Sequence, residues 1–270
     1  MTDFVFIDSG LGGIPYMTAL LEKSPDYSCV YVGDTANFPY GEKNHGQVTS
    51  CVVALVERIR KKFSPRVIVV ACNTISVNAL DVLRQTFPDI NFVGTVPAIK
   101  LAARMSKKRR IGLLATKATC ENPYNLELKR KFADDCVLVT RDDSRLISFI
   151  EHNAFTASHD DCLNAVRPAV DFFRDSGCDV IILGCTHFLN LSDVFAQACG
   201  DDIALADSVD GVVRHALEVR RVDGGSLPHG TDGGEKIPPS LYLTGLSDVT
   251  WKSQYEAVCA RFGLRPMGIL

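Results

Sequence analysis

The sequence alternates between short apolar runs and longer amphipathic stretches, and this alternation restricts its fold more than any other feature. The run 67–71 is apolar and β-branched throughout, as a strand buried on both faces of a parallel sheet is. The stretch 47–62 instead repeats its apolar side chains at the three- and four-residue spacing of an amphipathic helix, with Val48, Cys51, Val52, Leu55 and Ile59 on one face. The alternation predicts βαβ units, and therefore an α/β fold with mainly parallel sheets flanked by helices.

The same pattern places individual elements along the chain. Strands are predicted at residues 4–7, 29–32, 67–71, 92–95, 111–115, 136–139, 180–184, 203–206 and 240–244. Helices are predicted between them, among them 161–175, which Ser158 could cap, and 248–262. The segment 223–239 is rich in glycine and proline and is interpreted as an exposed, mobile loop.

The chain also contains a weak internal repeat. Residues 67–74 and 180–187 both form an apolar run that ends in a cysteine followed by hydrogen-bonding residues. The opening strands 4–7 and 111–115 precede these cysteines by similar distances. A length of 270 residues suits about two domains. Two similar α/β halves are therefore predicted, each presenting a cysteine at the end of a buried strand.

Composition excludes several classes of protein. The 29 basic and 32 acidic side chains give a net charge of −3, so no nucleic-acid partner is predicted, and the basic run 107–110 is interpreted as the solvated end of a helix. The apolar runs are too short to span a membrane, and Asp3 and Asp8 lie where a signal peptide would be basic, so a cytoplasmic location is expected. The ten cysteines contain no Cys-x-x-Cys pair, which favours reduced thiols.

Two cysteines have a placement that suits chemistry. Cys72 and Cys185 each follow a predicted parallel strand, and ligands bind at that end of such sheets. The residues after them, Asn73 and Thr74 in one half and Thr186 and His187 in the other, can donate hydrogen bonds and open a helix that suits a carboxylate or phosphate. An acidic small-molecule substrate is therefore predicted. The other eight cysteines are interpreted as packing residues.

Both cysteines have a titratable residue within plausible reach. His187 could take or share the proton of Cys185, and Asp8, at the end of the first strand, could lie beside Cys72. The glycine-rich turn 8–13 lacks both the G-x-G-x-x-G order and the Lys-Ser/Thr of a P-loop. It is compatible with a tight turn and with a phosphate-binding loop. A second polar loop, 33–41, is too dense in polar and turn residues for a simple connector.

Four motifs in order resemble one family. They are Asp8-Ser9-Gly10-x-Gly12-Gly13, Gly33-Asp34-Thr35 with Pro39-Tyr40-Gly41, Ala71-Cys72-Asn73-Thr74, and Leu183-Gly184-Cys185-Thr186-His187. Together they resemble glutamate racemases of the aspartate/glutamate racemase superfamily, over about residues 4–220. No single motif is specific, but four in register are.

The resemblance implies a reaction and a set of site residues. Such enzymes invert the α-carbon of glutamate with no cofactor or metal, using two cysteines on opposite faces of the substrate. Here these are Cys72 and Cys185, with Asp8 supporting the first and His187 the second. Glu151 corresponds to an acidic residue near the second cysteine, although a surface helix residue is an equal alternative. The implied substrate-binding residues are Asp8, Ser9, Tyr40, Gly41, Asn73, Thr74, Thr116, Thr119 and Thr186, and Asp34 is assigned to the loop that carries Tyr40.

The resemblance also implies an organisation. It assigns residues 1–97 plus 208–270 to one domain and 98–207 to the other, with the active site in the cleft between them. It further implies that the product D-glutamate serves peptidoglycan synthesis, and a homodimer is expected because dimers are common in the family. Three alternatives stay open: a racemase for aspartate or another acidic compound, a thiol-based metal or redox sensor, and a non-catalytic binding module.

Overall fold

The computed structural model describes residues 1–223, 238–246 and 249–270. The chain divides into two compact units, Met1–Thr95 with Val209–Leu270, and Val96–Ser208. Most of the predicted glycine- and proline-rich loop, and Asp248 at the predicted start of the last helix, lie outside the described residues.

Each predicted strand is present in the described residues. The strands are β1 (Thr2–Asp8), β2 (Cys29–Gly33), β3 (Pro65–Val70), β4 (Asn91–Gly94), β5 (Arg110–Ala115), β6 (Val137–Asp142), β7 (Val180–Leu183), β8 (Ala204–Ala206), β9 (Ser240–Leu243) and β10 (Arg265–Ile269). The last of these was not predicted.

The helices occupy the amphipathic stretches between the strands. They are α1 (Ile14–Lys23), α2 (His45–Phe63), α3 (Asn73–Thr86), α4 (Ile99–Met105), α5 (Lys117–Cys120), α6 (Pro123–Phe132), α7 (Ser144–His152), α8 (His159–Asp175), α9 (Ser192–Cys199), α10 (Val209–Val222) and α11 (Val249–Phe262). Short 3₁₀ helices cover Thr35–Asn37, Tyr40–Glu42 and Thr186–Leu191.

The two sheets are parallel and share one strand order. The first unit has the order β10-β9-β2-β1-β3-β4, and the second has β6-β5-β7-β8. The order β2-β1-β3-β4 is therefore repeated as β6-β5-β7-β8, which confirms the two similar halves. The strand order reverses between β1 and β3 in the first sheet and between β5 and β7 in the second. Ligands of open α/β sheets bind outside the carboxyl ends of the strands at such a switch point.

The apolar runs form strands because both of their faces are covered. Phe4, Val5, Phe6 and Ile7 of β1 are fully buried, as are Val180, Ile181 and Ile182 of β7. In the first unit the apolar stripe of α2 packs with α3 and the sheet in one core cluster, and a second cluster lies around β5 and β7 in the other unit. Continuous burial explains why these strands are apolar at every position rather than at alternate ones.

Helix ends are fixed by side-chain caps. Asn44 and Gln47 form a capping box at the start of α2. Ser158 and Asp161 form another at the start of α8, which confirms the predicted cap. The helix predictions 47–62 and 161–175 were therefore right to within two residues at each end.

Two local features differ from the sequence-based expectations. Strand β10 contains Pro266 and Gly268, which weaken strand signals, and it lies at the sheet edge, where proline is tolerated. The basic run 107–110 is not the end of a helix. Helix α4 ends at Met105, and the backbone N–H groups of Lys107 and Lys108 both donate to the Asp179 carboxylate, so the run is a tight connection into β5.

Two further observations concern the chain as a whole. Across the described ranges, none of the helices combines the length and the apolar character needed to cross a membrane. All ten cysteines lie in described residues and are free thiols.

Candidate active site

In the first unit, Asp8 and Cys72 lie at the carboxyl ends of β1 and β3, the strands on either side of the switch point. Asp8 is the last residue of β1, and Cys72 comes two residues after β3. The strands are paired up to Ile7 and Val70, and the Ala71 N–H donates to the Ile7 carbonyl at 2.9 Å, so the two chain ends leave the sheet side by side. Asp8 is fully buried, and its Oδ1 accepts from the Ser9 N–H at 2.6 Å and the Ser9 hydroxyl at 3.4 Å.

The glycine-rich turn after β1 is held tightly against β3. The Tyr31 hydroxyl donates to the Gly10 carbonyl at 2.8 Å and accepts from the Gly13 N–H at 3.0 Å. A Cβ atom at Gly13 would lie 2.6 Å from both the Cβ and the carbonyl oxygen of Ala71, and 3.2 Å from Asp8 Oδ2. Glycine is therefore required there because the turn passes directly over the chain that carries Cys72.

Cys72 occupies the N-cap of α3, a helix of 14 residues. It is buried, and its carbonyl accepts from the Ser76 N–H at 2.9 Å. The positive end of the helix dipole stabilises negative charge at such a position, which favours a thiolate. Asn73 and Thr74, the first residues of α3, are buried as well, and Asn73 Oδ1 accepts no hydrogen bond from any described part of the chain. A buried acceptor of this kind suits an ammonium donor.

The loop after β2 is organised by Asp34. This carboxylate is buried, and it accepts hydrogen bonds from the Tyr40 hydroxyl and, at 3.0 and 3.1 Å, from the Asn37 amide. The Asp34 N–H donates to the Asp8 carbonyl at 2.8 Å, which ties this loop to the end of β1. Burial, together with the charge and hydrogen bond of Asp34, raises the pKa of Tyr40, so the phenol stays protonated. The Tyr40 hydroxyl donates its proton in the hydrogen bond to Asp34. Gly41 is the next residue, at the centre of the Tyr40–Glu42 3₁₀ helix.

In the second unit, Cys185, His187 and Glu151 form a chain of contacts. Cys185 follows β7, and its Sγ lies 3.6 Å from His187 Nδ1. The other ring nitrogen, Nε2, lies 2.7 Å from Glu151 Oε2. Glu151 lies in α7 and is fully buried, so its interpretation as a surface residue is wrong. A nucleophilic or basic side chain, a histidine and an orienting acid are the usual parts of an activated thiol.

This arrangement sets the charge of His187. Burial alone lowers the pKa of its imidazole, but the hydrogen bonds and negative charges of Cys185 and Glu151 outweigh burial, and the pKa rises well above 6.5. An imidazolium between the Cys185 sulfur and the Glu151 carboxyl group can hold a proton or supply one to the sulfur. Three of the other cysteines have no such partner effect that outweighs burial. Burial raises the pKa of Cys178, Cys199 and Cys259 to about 11 and keeps those thiols protonated.

Three threonines complete the second unit's part of the site. Thr116 follows β5 and caps α5, where its hydroxyl accepts from the Thr119 N–H at 3.1 Å and donates to the Thr119 hydroxyl at 3.0 Å. Thr186 opens the 3₁₀ helix after Cys185 and is buried.

Gly184 precedes Cys185, and a Cβ atom there would lie 2.5 Å from a methyl of Leu113 and 3.0 Å from the Leu114 carbonyl, so the strand ends pack closely.

The predicted residues thus fall into two groups, one in each unit. The first unit gathers Asp8, Ser9, Tyr40, Gly41, Cys72, Asn73 and Thr74, and the second gathers Thr116, Thr119, Glu151, Cys185, Thr186 and His187. Sequence reasoning did not assign roles to Tyr31, which holds the first loop, or to Asn37, which holds Asp34. The signal for Asn37 was the polar density of the loop 33–41. Among the described residues, no three His, Cys, Asp or Glu side chains are grouped so that they could hold a metal ion.

Comparisons with known proteins agree with the motifs. The family model of Asp/Glu/Hydantoin racemase matches residues 15–216. A glutamate racemase of Treponema pallidum is 38% identical over 267 residues, which cover 99% of this chain and 96% of that protein. A glutamate racemase of a Shewanella species is 37% identical over 207 residues, 77% of this chain and 75% of that protein.

A solved structure is similar over the whole chain. It is the Escherichia coli glutamate racemase in complex with L-glutamate and the activator UDP-MurNAc-Ala, with a TM-score of 0.85, 29% identity, and coverage of 100% of this chain and 98% of that one. These findings confirm the resemblance that the four motifs carry. The chain is therefore an amino-acid racemase, an isomerase that belongs to the Asp/Glu/Hydantoin racemase family.

Proposed function

We propose that this protein interconverts L- and D-glutamate without a cofactor, with Cys72 and Cys185 as acid–base groups on opposite faces of the α-carbon. The observation that carries the proposal is the repeated placement of a buried cysteine at the switch point of each sheet, directly before a helix or 3₁₀ helix. The identity of 38% to a glutamate racemase over nearly the full chain supports glutamate as the substrate.

The proposed reaction moves one proton off the α-carbon and one onto it. A cysteine thiolate on one face takes the α-proton, and the electron pair left on carbon delocalises into the α-carboxylate. The thiol on the opposite face then donates its proton to the same carbon, so the configuration inverts and the two sulfur atoms exchange protonation states. Proton exchange with solvent restores the starting state.

Each thiolate has its own source of stabilisation. The imidazolium of His187, held by Glu151, balances negative charge on Cys185. On the other side, the N-terminus of α3 favours negative charge at Cys72, with Asp8 at the adjacent strand end as a proton acceptor. Asn73 and Thr74, with the amides that open α3, suit the substrate's ammonium and α-carboxylate groups. Such prearranged donors stabilise the negative charge that develops in the transition state.

The test is racemisation in D₂O by chelator-treated enzyme with no added cofactor, starting from each pure enantiomer. Two bases predict that newly formed D-glutamate carries deuterium at the α-carbon while the remaining L-glutamate stays protonated early in the reaction. Substitutions Cys72→Ala and Cys185→Ala should each abolish racemisation without lowering the melting temperature, and Cys178→Ala should retain it. Equal early deuteration of both enantiomers would contradict the two-base mechanism. Faster turnover of aspartate than of glutamate would contradict the substrate.

We also infer that the D-glutamate serves peptidoglycan synthesis in the cytoplasm and that the enzyme is a homodimer. Both inferences rest on the family resemblance. Depletion of the protein in its source cells should cause lysis that external D-glutamate relieves, and light scattering should give twice the mass of the chain. Lysis without relief would contradict the first inference, and a monomer mass would contradict the second.

A further inference from the structure

A clasp joins the end of strand β9 to the loop that carries Tyr40. Strand β9 pairs with β2, and Leu243 lies opposite Gly33. Beyond this pair, the Thr244 N–H donates to the Gly33 carbonyl at 3.0 Å. The next residues, Thr244 and Gly245, then lie against Asp34, Thr35 and Ala36.

Within the clasp, the Thr244 hydroxyl makes two hydrogen bonds. It donates to Asp34 Oδ1 at 2.6 Å, and it accepts from the Ala36 N–H at 3.0 Å. The hydroxyl of Thr35 forms a similar pair, donating to the Gly245 carbonyl and accepting from the Gly245 N–H at 3.2 Å. The two chain segments are 210 residues apart in sequence, so this clasp exists only in the folded unit.

The two oxygens of the Asp34 carboxylate accept hydrogen bonds from different sets of donors. Oδ1 accepts from Thr244 and Asn37, whereas Oδ2 accepts from Asn37 and from the Tyr40 hydroxyl. The direction in which Oδ2 points is fixed by what holds Oδ1, because a carboxylate is a rigid plane. Thr244 therefore orients the group that orients Tyr40.

We propose that Thr244 is a positioning residue for substrate binding, acting through Asp34 to fix the Tyr40–Gly41 segment. The inference rests on the proposed function, together with the substrate-binding role that the family resemblance implies for Tyr40 and Gly41. Loss of the Thr244 hydroxyl leaves the Asn37 amide to hold Oδ1, so the Asp34 plane is held less firmly and the Tyr40 loop shifts. The effect falls on substrate binding more than on proton transfer, since the clasp acts on the Tyr40–Gly41 segment and not on a residue to which the proposed reaction assigns a proton.

The substitution Thr244→Val tests this, because valine keeps the side-chain volume and removes only the hydroxyl. We expect KM for glutamate to rise about tenfold, equivalent to about 1.4 kcal/mol, with kcat changed less than threefold. Thr244→Ser should restore KM to within about twofold. The matched control is Thr86→Val, because Thr86 is exposed and its hydroxyl donates to the Val82 carbonyl of its own helix.

A double-mutant cycle distinguishes positioning from general loosening. If Thr244 acts through Asp34 and Tyr40, Thr244→Val adds no further rise in KM to Tyr40→Phe, since the contact it controls is already lost. Equilibrium binding of D-glutamate by calorimetry, in the turnover-free Cys185→Ala background, should show the same pattern. Should Thr244→Val fail to fold, Thr244→Ala serves in the same cycle.

Two results would overturn the inference: an unchanged KM in Thr244→Val, or effects of Thr244→Val and Tyr40→Phe that multiply. A wild-type enzyme that does not racemise glutamate contradicts the proposed function instead. The two failures are distinguishable because the wild-type activity is measured first.

Discussion

The chain of contacts from Cys185 through His187 to Glu151 makes a quantitative prediction for the substitution Glu151→Gln. Glutamine has nearly the same shape as glutamate, and its amide oxygen can still accept from His187 Nε2. The substitution therefore removes the negative charge from a fully buried position 2.7 Å from the imidazole and leaves the packing intact.

The size of the effect follows from the charge on that hydrogen bond. A hydrogen bond to a charged group contributes roughly 1.5–3 kcal/mol. Glutamine keeps a neutral acceptor, so the substitution costs up to this amount, and the pKa of His187 should fall because the imidazolium loses the carboxylate charge beside it. The imidazolium that balances the Cys185 thiolate is destabilised by the same amount. We expect kcat to decrease by a factor of roughly 10–100, within the usual range for acid–base groups.

The assay is the rate of racemisation from L- and from D-glutamate, followed by circular dichroism over a range of pH. In Glu151→Gln the alkaline limit of activity should move to lower pH, because His187 then loses its proton at a lower pH. The matched control is Glu127→Gln, which makes the same chemical change at an exposed position of α6 in the same unit.

The reasoning would be refuted by a Glu151→Gln enzyme with wild-type kcat and an unshifted pH profile. A loss of activity that Glu127→Gln shares would also refute it, because the effect would then not depend on the His187 contact. Melting temperatures measured on both variants separate a chemical effect from unfolding.

Two further predictions follow from the geometry. Gly13→Ala should lower the free energy of unfolding by about 1–3 kcal/mol and reduce racemisation, because the new Cβ lies 2.6 Å from Ala71. Gly211→Ala in α10 should be neutral or stabilising in the same urea titration, because beyond its own helix no atom of the described residues lies within 4 Å of the added Cβ. The raised pKa of His187 means that the folded state binds more protons than the unfolded state at pH values above about 6.5. The free energy of unfolding should therefore fall as pH rises from about 6.5 through the folded-state pKa. Urea titrations at several pH values should show a smaller decline for His187→Asn. If the free energy of unfolding declined equally with pH in the wild type and in His187→Asn, that would count against the raised pKa.

Much of the fold could be predicted because its signals are local. A strand covered on both faces must be apolar at each position, and a helix that covers a sheet must repeat its apolar residues every three or four positions. These rules found β1 to β9 and α2, α8 and α11 from the residues themselves. They missed β10, whose Pro266 and Gly268 carry no strand signal and which forms by pairing with β9 at the sheet edge.

For the candidate site, too, local sequence signals predicted some features and not others. Cys72 and Cys185 could be proposed as site residues because each directly follows its predicted strand, and the internal repeat set them apart from the other eight cysteines, which are interpreted as packing residues. The state of Glu151 could not be decided, because one turn of an amphipathic helix does not reveal which element will cover it. Its burial against His187, 36 residues away, depends on how α7 packs beside the end of β7.

The sequence by itself therefore determined the order of strands and helices, the two-fold repeat and the residues at the strand ends, because these follow from neighbours along the chain. Only the tertiary structure decided which partners those residues meet. Glu151 reaches His187 because α7 packs against the 3₁₀ helix that follows β7. Thr244 reaches Asp34 across 210 residues because the parallel strands β9 and β2 end at the same edge of a sheet. Periodicity records which face of an element is buried, but contacts between elements depend on the packing of all of them together.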